Sequence, residues 1–464
     1  EAPQGRLEAE GHLDASGAYP LALDARWQVS AAGLAPLEGR LAIDGELTGQ
    51  LAVDQRITGA GALRVSGTVD EALATPRLDL TVTAAGVDPR LLREDLPPVP
   101  TDGELTVTGT PAALQVQGSL AVVAPQAGPL GVTVDATAGP EQVRIGTLQV
   151  RAAAGGTASL SGLVALEQDA PRLDLALRWS DLAWPLEGAP AARSPEGSLQ
   201  VRGTLDDYRL ALDARAAAPD LPPATLSLQG RGDTAGLAVT AATVELLEGE
   251  VRLAGEVGWD PVLRWQAAVD LEGVNPGAQW PAWPGRLAGA LQTSGRLPAD
   301  DALVAGLKVE SLGGELRGYP VQAEAGLQVQ GSRLEVERLL VGSGDARLEA
   351  AGRVGDTLDL RWEIDAPSLA AIAPAAAGSL SGSGTLGGTP AEPVVKATLS
   401  ASDLAWQGNR LASLEGTADI AGRERLLVEL TAVGLRAGGL EVERLVLGAD
   451  GSLAEHRVTM DARG

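Results

Sequence analysis

The sequence predicts an all-β protein: a long, curled antiparallel sheet that forms a groove array with an apolar interior and few short helical stubs. Three observations predict this fold class. Apolar and polar residues alternate along most of the chain. Glycines recur at a fixed even spacing on the apolar side of the predicted strands. The best helical candidates, 89–95 and 367–373, are short and bounded by prolines.

The predicted strands each have one apolar and one polar face. In "GRLAIDGELTG" (39–49), Leu41, Ile43 and Leu47 fall on one face, and Arg40 and Asp44 fall on the other. This period of two is typical of a half-buried strand. Further strands of this kind are "LALDARWQV" (21–29), "RLDLTVTA" (77–84), "RLDLALRW" (172–179), "LRWQAAVDL" (263–271), "LDLRWEID" (358–365) and "VVKATLSA" (394–401).

The recurring glycines follow the pattern Gly-x-Leu/Val-x-x-x-Gly. A spacing of six is even, so both glycines share a face with the apolar residue. Copies lie at Gly5–Gly11, Gly39–Gly45, Gly61–Gly67, Gly103–Gly109, Gly197–Gly203, Gly249–Gly255, Gly289–Gly295 and Gly378–Gly384. A residue without a side chain lets a sheet bend toward that face. We therefore predict groove creases at Gly45, Gly67, Gly203, Gly255 and Gly384.

A longer period joins these strands into repeats. New units start near residues 39, 103, 197, 289 and 378, with steps of 64, 94, 92 and 89 residues. Repetition on this scale predicts one continuous array over residues 1–464, without a separate globular domain. With about eleven residues for a strand and its turn, we expect roughly forty strands.

An array of β-sandwich modules is the alternative. It would be a structural or adhesive protein, because sandwich strands alternate in the same way and glycines also occur at bulges and hairpin ends. No linker separates the repeats, and the glycines fall repeatedly on the inward face. Both features favour the curled array.

Composition excludes several function classes. The chain carries a net charge of −25, so nucleic acid is a poor partner. Cysteine is absent, which excludes disulfides and thiolate metal sites. The sequence contains no run of about 18 apolar residues, which is the length that a membrane-spanning helix needs. Since the chain begins with Glu1, we expect an excised segment whose membrane anchor lies outside it.

Motifs for catalysis are weak. "GSGTLG" (382–387) matches a phosphate-binding fingerprint, but Pro390 and Pro393 disfavour the helix that such a site needs. His12 and His456 are isolated and favour neither a catalytic triad nor a zinc site. We expect no enzyme activity, no catalytic residues, no metal and no cofactor.

The repeat grammar resembles a known family. The unit "G-x-L-x-x-x-G-x-L…P-x-L-x-L" and the block at 334–354, "LEVERL…G-x-G-x-A-R-L-x-A-x-G-x-V", are similar to the TamB family and its AsmA-like relatives. The resemblance implies a periplasmic middle segment of an inner-membrane-anchored protein that reaches the outer membrane. It also implies a β-taco form of the groove, phospholipid transport through its hydrophobic interior, a role in outer-membrane protein assembly, and an outer-membrane β-barrel partner.

The partner that we expect inside the groove is a phospholipid or another acyl-chain lipid. The predicted lining residues are the inward apolar side chains Leu21, Leu23, Trp27, Leu41, Ile43, Leu47, Leu63, Val65, Leu78, Leu80, Val82, Leu173, Leu175, Leu177, Trp179, Leu210, Leu212, Leu263, Trp265, Val269, Leu358, Leu360, Trp362, Ile364, Val395 and Leu399. The four tryptophans in this set either fill a core or contact acyl chains. Trp184 and Trp406, in two copies of "SDLAW", are predicted to lie at strand ends on the groove lip.

Overall fold

The computed structural model divides the chain into two compact units, Glu1–Asp233 and Thr234–Gly464. It describes residues 4–30, 36–59, 61–91, 99–124, 127–153, 155–167, 170–186, 188–219, 221–298, 302–452 and 454–464. Within these residues the regular structure consists of thirty β-strands and three short 3-10 turns. The predicted all-β class with few helical stubs is confirmed.

The first unit is an antiparallel meander. Its strands are β1 (Gln4–Leu13), β2 (Pro20–Ser30), β3 (Leu37–Glu46), β4 (Gln50–Gly59), β5 (Gly61–Asp70), β6 (Arg77–Val87), β7 (Thr101–Thr110), β8 (Ala113–Ala124), β9 (Gly128–Ala138), β10 (Gln142–Ala152), β11 (Thr157–Ala165), β12 (Arg172–Trp184), β13 (Ala192–Thr204), β14 (Asp207–Ala218) and β15 (Leu221–Gly232). Each strand pairs with the next one in sequence. Consecutive pairing of this kind needs only short connections.

The second unit repeats this arrangement. Its strands are β16 (Gly236–Leu246), β17 (Gly249–Gly258), β18 (Leu263–Val274), β19 (Gly285–Leu297), β20 (Val304–Leu316), β21 (Tyr319–Gln330), β22 (Arg333–Ser343), β23 (Ala346–Val354), β24 (Leu358–Ala366), β25 (Ala377–Thr389), β26 (Glu392–Trp406), β27 (Asn409–Ala421), β28 (Arg425–Ala437), β29 (Leu440–Gly451) and β30 (His456–Arg463). Again each strand pairs antiparallel with its successor.

The strands are longer than the sequence pattern suggested. They run from 8 residues in β30 to 15 in β26, so the expectation of roughly forty strands was wrong. Longer strands form because the alternation continues through the residues that were assigned to turns. The prediction of a single array over residues 1–464 stays a prediction.

The side-chain packing does not fit sandwich modules. A sandwich divides its strands between two sheets that enclose a filled core. Here the strands of each unit pair consecutively, and none of the larger side chains described is fully buried. The apolar residues that are buried are mostly alanines, such as Ala25, Ala242 and Ala401. Each sheet therefore has one apolar face whose larger side chains stay partly accessible.

The helical stubs are single turns. They span Pro89–Leu91, Pro276–Ala278 and Leu369–Ala371. Two of them fall within the predicted stubs at 89–95 and 367–373, of which 92–95 lie outside the described residues. The segment "GSGTLG" lies inside β25, without a helix behind it. No helix found among the described residues has the length and apolar character to cross a membrane.

Candidate functional site

The candidate site is the apolar face of each sheet. Along β8, exposed and half-buried residues alternate over all twelve positions, as the period of a pleated strand requires. The predicted lining residues are half-buried, except Leu263, which is 41% exposed. Leu263 is the first residue of β18 and follows directly on a hairpin turn, where fewer neighbours cover a side chain.

Strand register brings these side chains together in rows. In the first unit, Leu175 lies opposite Val201, which lies opposite Leu210. In the second unit, Leu360 lies opposite Leu386, which lies opposite Val395. The sequence interpretation left out Val201 and Leu386, although each has the parity of its neighbours. The signal that could have found them was the Gly-x-Leu motif of their own strands.

Four tryptophans lie over glycines of the neighbouring strand. The register pairs Trp27 with Gly39, Trp179 with Gly197, Trp265 with Gly295 and Trp362 with Gly384. A side chain on any of the first three glycines would overlap the tryptophan ring, and on Gly384 it would lie 2.8 Å from Nε1 of Trp362. Glycines in strands are commonly covered by an aromatic ring in this way. These contacts favour the core-filling interpretation of the four tryptophans.

Two of these rings are also held by hydrogen bonds. Nε1 of Trp179 donates to Oγ of Ser194 at 2.8 Å, and Nε1 of Trp265 donates to Oγ1 of Thr293 at 3.3 Å. Because an indole N–H needs a partner when it is partly buried, these hydroxyls fix the orientation of the ring on the apolar face.

The five predicted crease glycines lie where two strands approach closely. Gly45, Gly67 and Gly203 have φ values of 136°, 152° and 128°, which L side chains rarely adopt. A side chain at Gly255 would come within 2.7 Å of Cα of Ala267. At Gly384 it would meet Trp362 and the carbonyl oxygen of Lys396. The atoms that an added side chain would contact therefore belong to the neighbouring strand and not to an opposite wall of the groove. A crease of the sheet at these glycines stays a prediction.

The two "SDLAW" tryptophans are exposed at strand ends. Trp184 ends β12 and is 64% exposed, and Trp406 ends β26 and is 61% exposed. Each follows an aspartate with positive φ, 53° at both Asp181 and Asp403. The pairing with the following strand leaves both aspartates out without a shift in register. Between β25 and β26 the register does shift by one residue beside Asp403, which is the signature of a β-bulge. After each aspartate the alternation changes, since Leu182 and Leu404 are half-buried at an odd spacing from the inward Trp179 and Leu399.

The opposite face carries ion pairs. Arg231 binds Asp207 through two hydrogen bonds of 2.7 Å, and Arg202 lies 3.0 Å from Asp174. The Arg231 guanidinium lowers the pKa of the Asp207 carboxyl below its ordinary value. Such exposed pairs contribute little to stability. Their consequence is a polar outer face opposite the apolar one.

A depression of about 1180 Å³ lies across β16–β22 of the second unit. Its lining is mixed. It includes Trp265 and Leu307 together with the exposed Arg264, Gln292 and Lys308. It therefore differs from the apolar groove that the sequence predicts.

Comparison with known proteins identifies the family. The family model described as "TamB, N-terminal domain" matches residues 1–171 and 157–464. The chain is also 25% identical over 313 residues to the translocation and assembly module subunit TamB of Haemophilus influenzae. That match covers 66% of this chain and 24% of the relative, so the chain spans about a quarter of the relative's length. Because the family model matches the whole length of this chain, the chain belongs to the TamB family.

Proposed function

We propose that this chain is a periplasmic segment of a translocation and assembly module subunit, and that its apolar face shields phospholipid acyl chains between the inner and outer membranes. Membership of the TamB family supports the assignment to a translocation and assembly module. The apolar face of each sheet supports the binding of lipid acyl chains. Half-buried leucines and valines lie opposite one another along each unit, while charged residues occupy the other face.

Burial energetics explain why such a face suits lipids. Transfer of a methylene group into water costs about 0.8 kcal/mol. An acyl chain of about sixteen carbons therefore faces a barrier above about 10 kcal/mol when it crosses water alone. A continuous apolar face lowers this barrier without a tight site at any one position. Transport of this kind needs no catalytic residue and no cofactor.

The same family membership supports a role in outer-membrane protein assembly. In this proposal the parent protein is anchored in the inner membrane and acts with an outer-membrane β-barrel partner. Lipid supply and protein assembly are compatible, because a growing outer membrane needs both.

Bound lipid is the direct test. The chain is purified without detergent and its lipids are extracted and weighed by mass spectrometry. We compare Leu212→Asp, on the inward row of β14, with Ser227→Asp, on the exposed row of β15. An unpaired charge on the apolar face is costly to desolvate, so Leu212→Asp should lose lipid and Ser227→Asp should retain it. Circular dichroism checks that both variants fold. Equal lipid in both variants, or none in the wild-type chain, would overturn the proposal.

A further inference from the structure

The two rims of the second unit are built differently. In a meander, alternate connections lie at the same rim. One rim, here called the capped rim, carries two connections, between residues 274 and 285 and between 366 and 377, that are each ten residues long and without a charged residue. Its other connections are hairpins of two residues, at 247–248, 317–318, 344–345, 407–408 and 438–439. The other, here called the open rim, includes hairpin connections of two or three residues after Gln330, Val354 and Thr389.

At the capped rim, the connection after β24 folds across the apolar face. Ser343 belongs to the inward row, because it lies opposite both Val321 and Ala346. Its Oγ donates to the carbonyl oxygen of Ala371 at 2.6 Å. Beneath this segment Ala346 is 3% exposed, and Ala366 is not exposed at all. The connection therefore covers the inward side chains at the ends of β21–β24.

Arg317 ties two of these connections together. Its backbone N–H donates to the carbonyl oxygen of Pro284 at 2.6 Å, and its Nη2 donates to the carbonyl oxygen of Ala370 at 2.9 Å. Its guanidinium carbon lies 5.4 Å from the ring centroid of Trp283, within the range of a cation–π contact. No carboxylate among the described residues pairs with it. Arg317 thus links residues 283–284 to residue 370.

One atom of this side chain is buried without a partner. Nη1 of Arg317 is the single buried side-chain nitrogen or oxygen of the described residues that lacks a hydrogen bond. A buried donor left unpaired is destabilising, so the surrounding contacts must hold the guanidinium in place. We call Arg317 and its contacts to Trp283, Pro284 and Ala370 the clamp.

At the open rim, the inward side chains are accessible. Leu263 and Leu297 lie opposite each other at the ends of β18 and β19 and are 41% and 46% exposed. Connections of two or three residues are too short to fold back over a strand, and this rim has no ten-residue connection to cover them. The apolar face therefore meets solvent along this rim.

We infer that, between β18 and β25, acyl chains reach the apolar face of the second unit across the open rim only, and that the clamp keeps this part of the capped rim closed. This inference rests on the proposed function. A polar headgroup is costly to bury without partners, so it stays in water at the open rim while the chains point toward the capped rim. The ligand class is a phospholipid held by its chains, with the headgroup left outside.

Photo-crosslinking in two places tests the direction of entry. p-Benzoylphenylalanine is placed at Leu297 near the open rim or at Val321 near the cap, and the full chain is illuminated with vesicles of phosphatidylethanolamine and phosphatidylglycerol. We expect lipid adducts at position 297 and several-fold fewer at position 321. Equal adducts at both positions would overturn the inference but not the proposed function. No adduct at either position would overturn the proposed function as well.

Release of the clamp gives an independent readout. Arg317→Met keeps most of the side-chain length and removes its donors, and Arg286→Met changes an exposed arginine at the same rim. Amide hydrogen exchange in residues 366–377 should speed up on the order of tenfold in Arg317→Met and stay unchanged in Arg286→Met. Adducts at position 321 should rise in Arg317→Met alone. Unchanged exchange in Arg317→Met would contradict the clamp.

Discussion

The glycines of the inward rows provide a quantitative test of the sheet geometry. Gly203 has φ of 128°, and a side chain there would overlap the carbonyl oxygen of Asp207 and approach Cα of Tyr208 to 2.9 Å. Gly131 lies on the exposed row of β9, and a side chain there would meet nothing closer than 4.0 Å. Both residues belong to the first unit. The same substitution to alanine should therefore have opposite effects.

The expected magnitudes follow from these contacts. A strained φ costs about 1–3 kcal/mol, and forcing a methyl group into a packed site costs about 1–3 kcal/mol. Gly203→Ala should thus destabilise by about 2–6 kcal/mol, which lowers Tm by about 4–24 °C for a unit of this size. Gly131→Ala should stabilise by about 0.5–1 kcal/mol, because glycine in a strand interior is unfavourable relative to alanine.

Urea unfolding and thermal melts of the two variants measure the difference. Long repeat sheets can unfold in parts, so hydrogen exchange in β12–β14 serves as the local readout. Faster exchange in β12–β14 is expected for Gly203→Ala only. If both variants gained stability, neither the backbone conformation nor the packing at position 203 would require glycine. The close approach of the two strands would then play no part in the fold.

Two further predictions concern the tryptophans and the outer face. Trp179→Ala should destabilise the first unit by about 3–5 kcal/mol, because it uncovers a packed glycine, whereas Trp184→Ala should change stability by less than about 0.5 kcal/mol; urea unfolding compares them. Arg231→Gln should raise the pKa of Asp207 toward its ordinary value, as followed by carboxyl NMR. The lowered pKa stabilises the folded chain above the unfolded pKa, and this stabilisation is lost as the pH falls through the folded pKa. The difference in stability between wild type and Arg231→Gln should therefore vanish in acid. A difference that persists in acid would refute the assignment of this stabilisation to the Arg231–Asp207 ion pair.

Alternation in the sequence predicted which face each side chain occupies, because successive residues of a strand point to opposite sides. Leu175 and Asp174 show this on one strand, with Leu175 half-buried and Asp174 exposed in an ion pair. Strand length was predicted less well. The alternating pattern has no marker for the last residue of a strand, so β26 continues through Trp406 despite the bulge beside Asp403.

The alternation of apolar and polar residues could not predict which side chains of neighbouring strands contact each other. Parity placed Trp265 on the inward face, but its position over Gly295 depends on the register of β18 and β19. Register is set by turn geometry and by packing on both strands. The clamp is more distant still, since 53 residues separate Arg317 from Ala370. In the sequence, no motif or spacing distinguishes Arg317 from the other arginines.

The central claim is that lipid chains lie on the apolar face of the sheet and not on the polar one. Val82 and Thr83 are uncharged neighbours on β6, the first half-buried on the inward row and the second exposed. p-Benzoylphenylalanine at each position, in the chain exposed to phospholipid vesicles, reports which face meets acyl chains by the mass of the adduct. The account predicts lipid adducts at position 82 and none at position 83. Equal capture at both positions, or capture at position 83 alone, would contradict it.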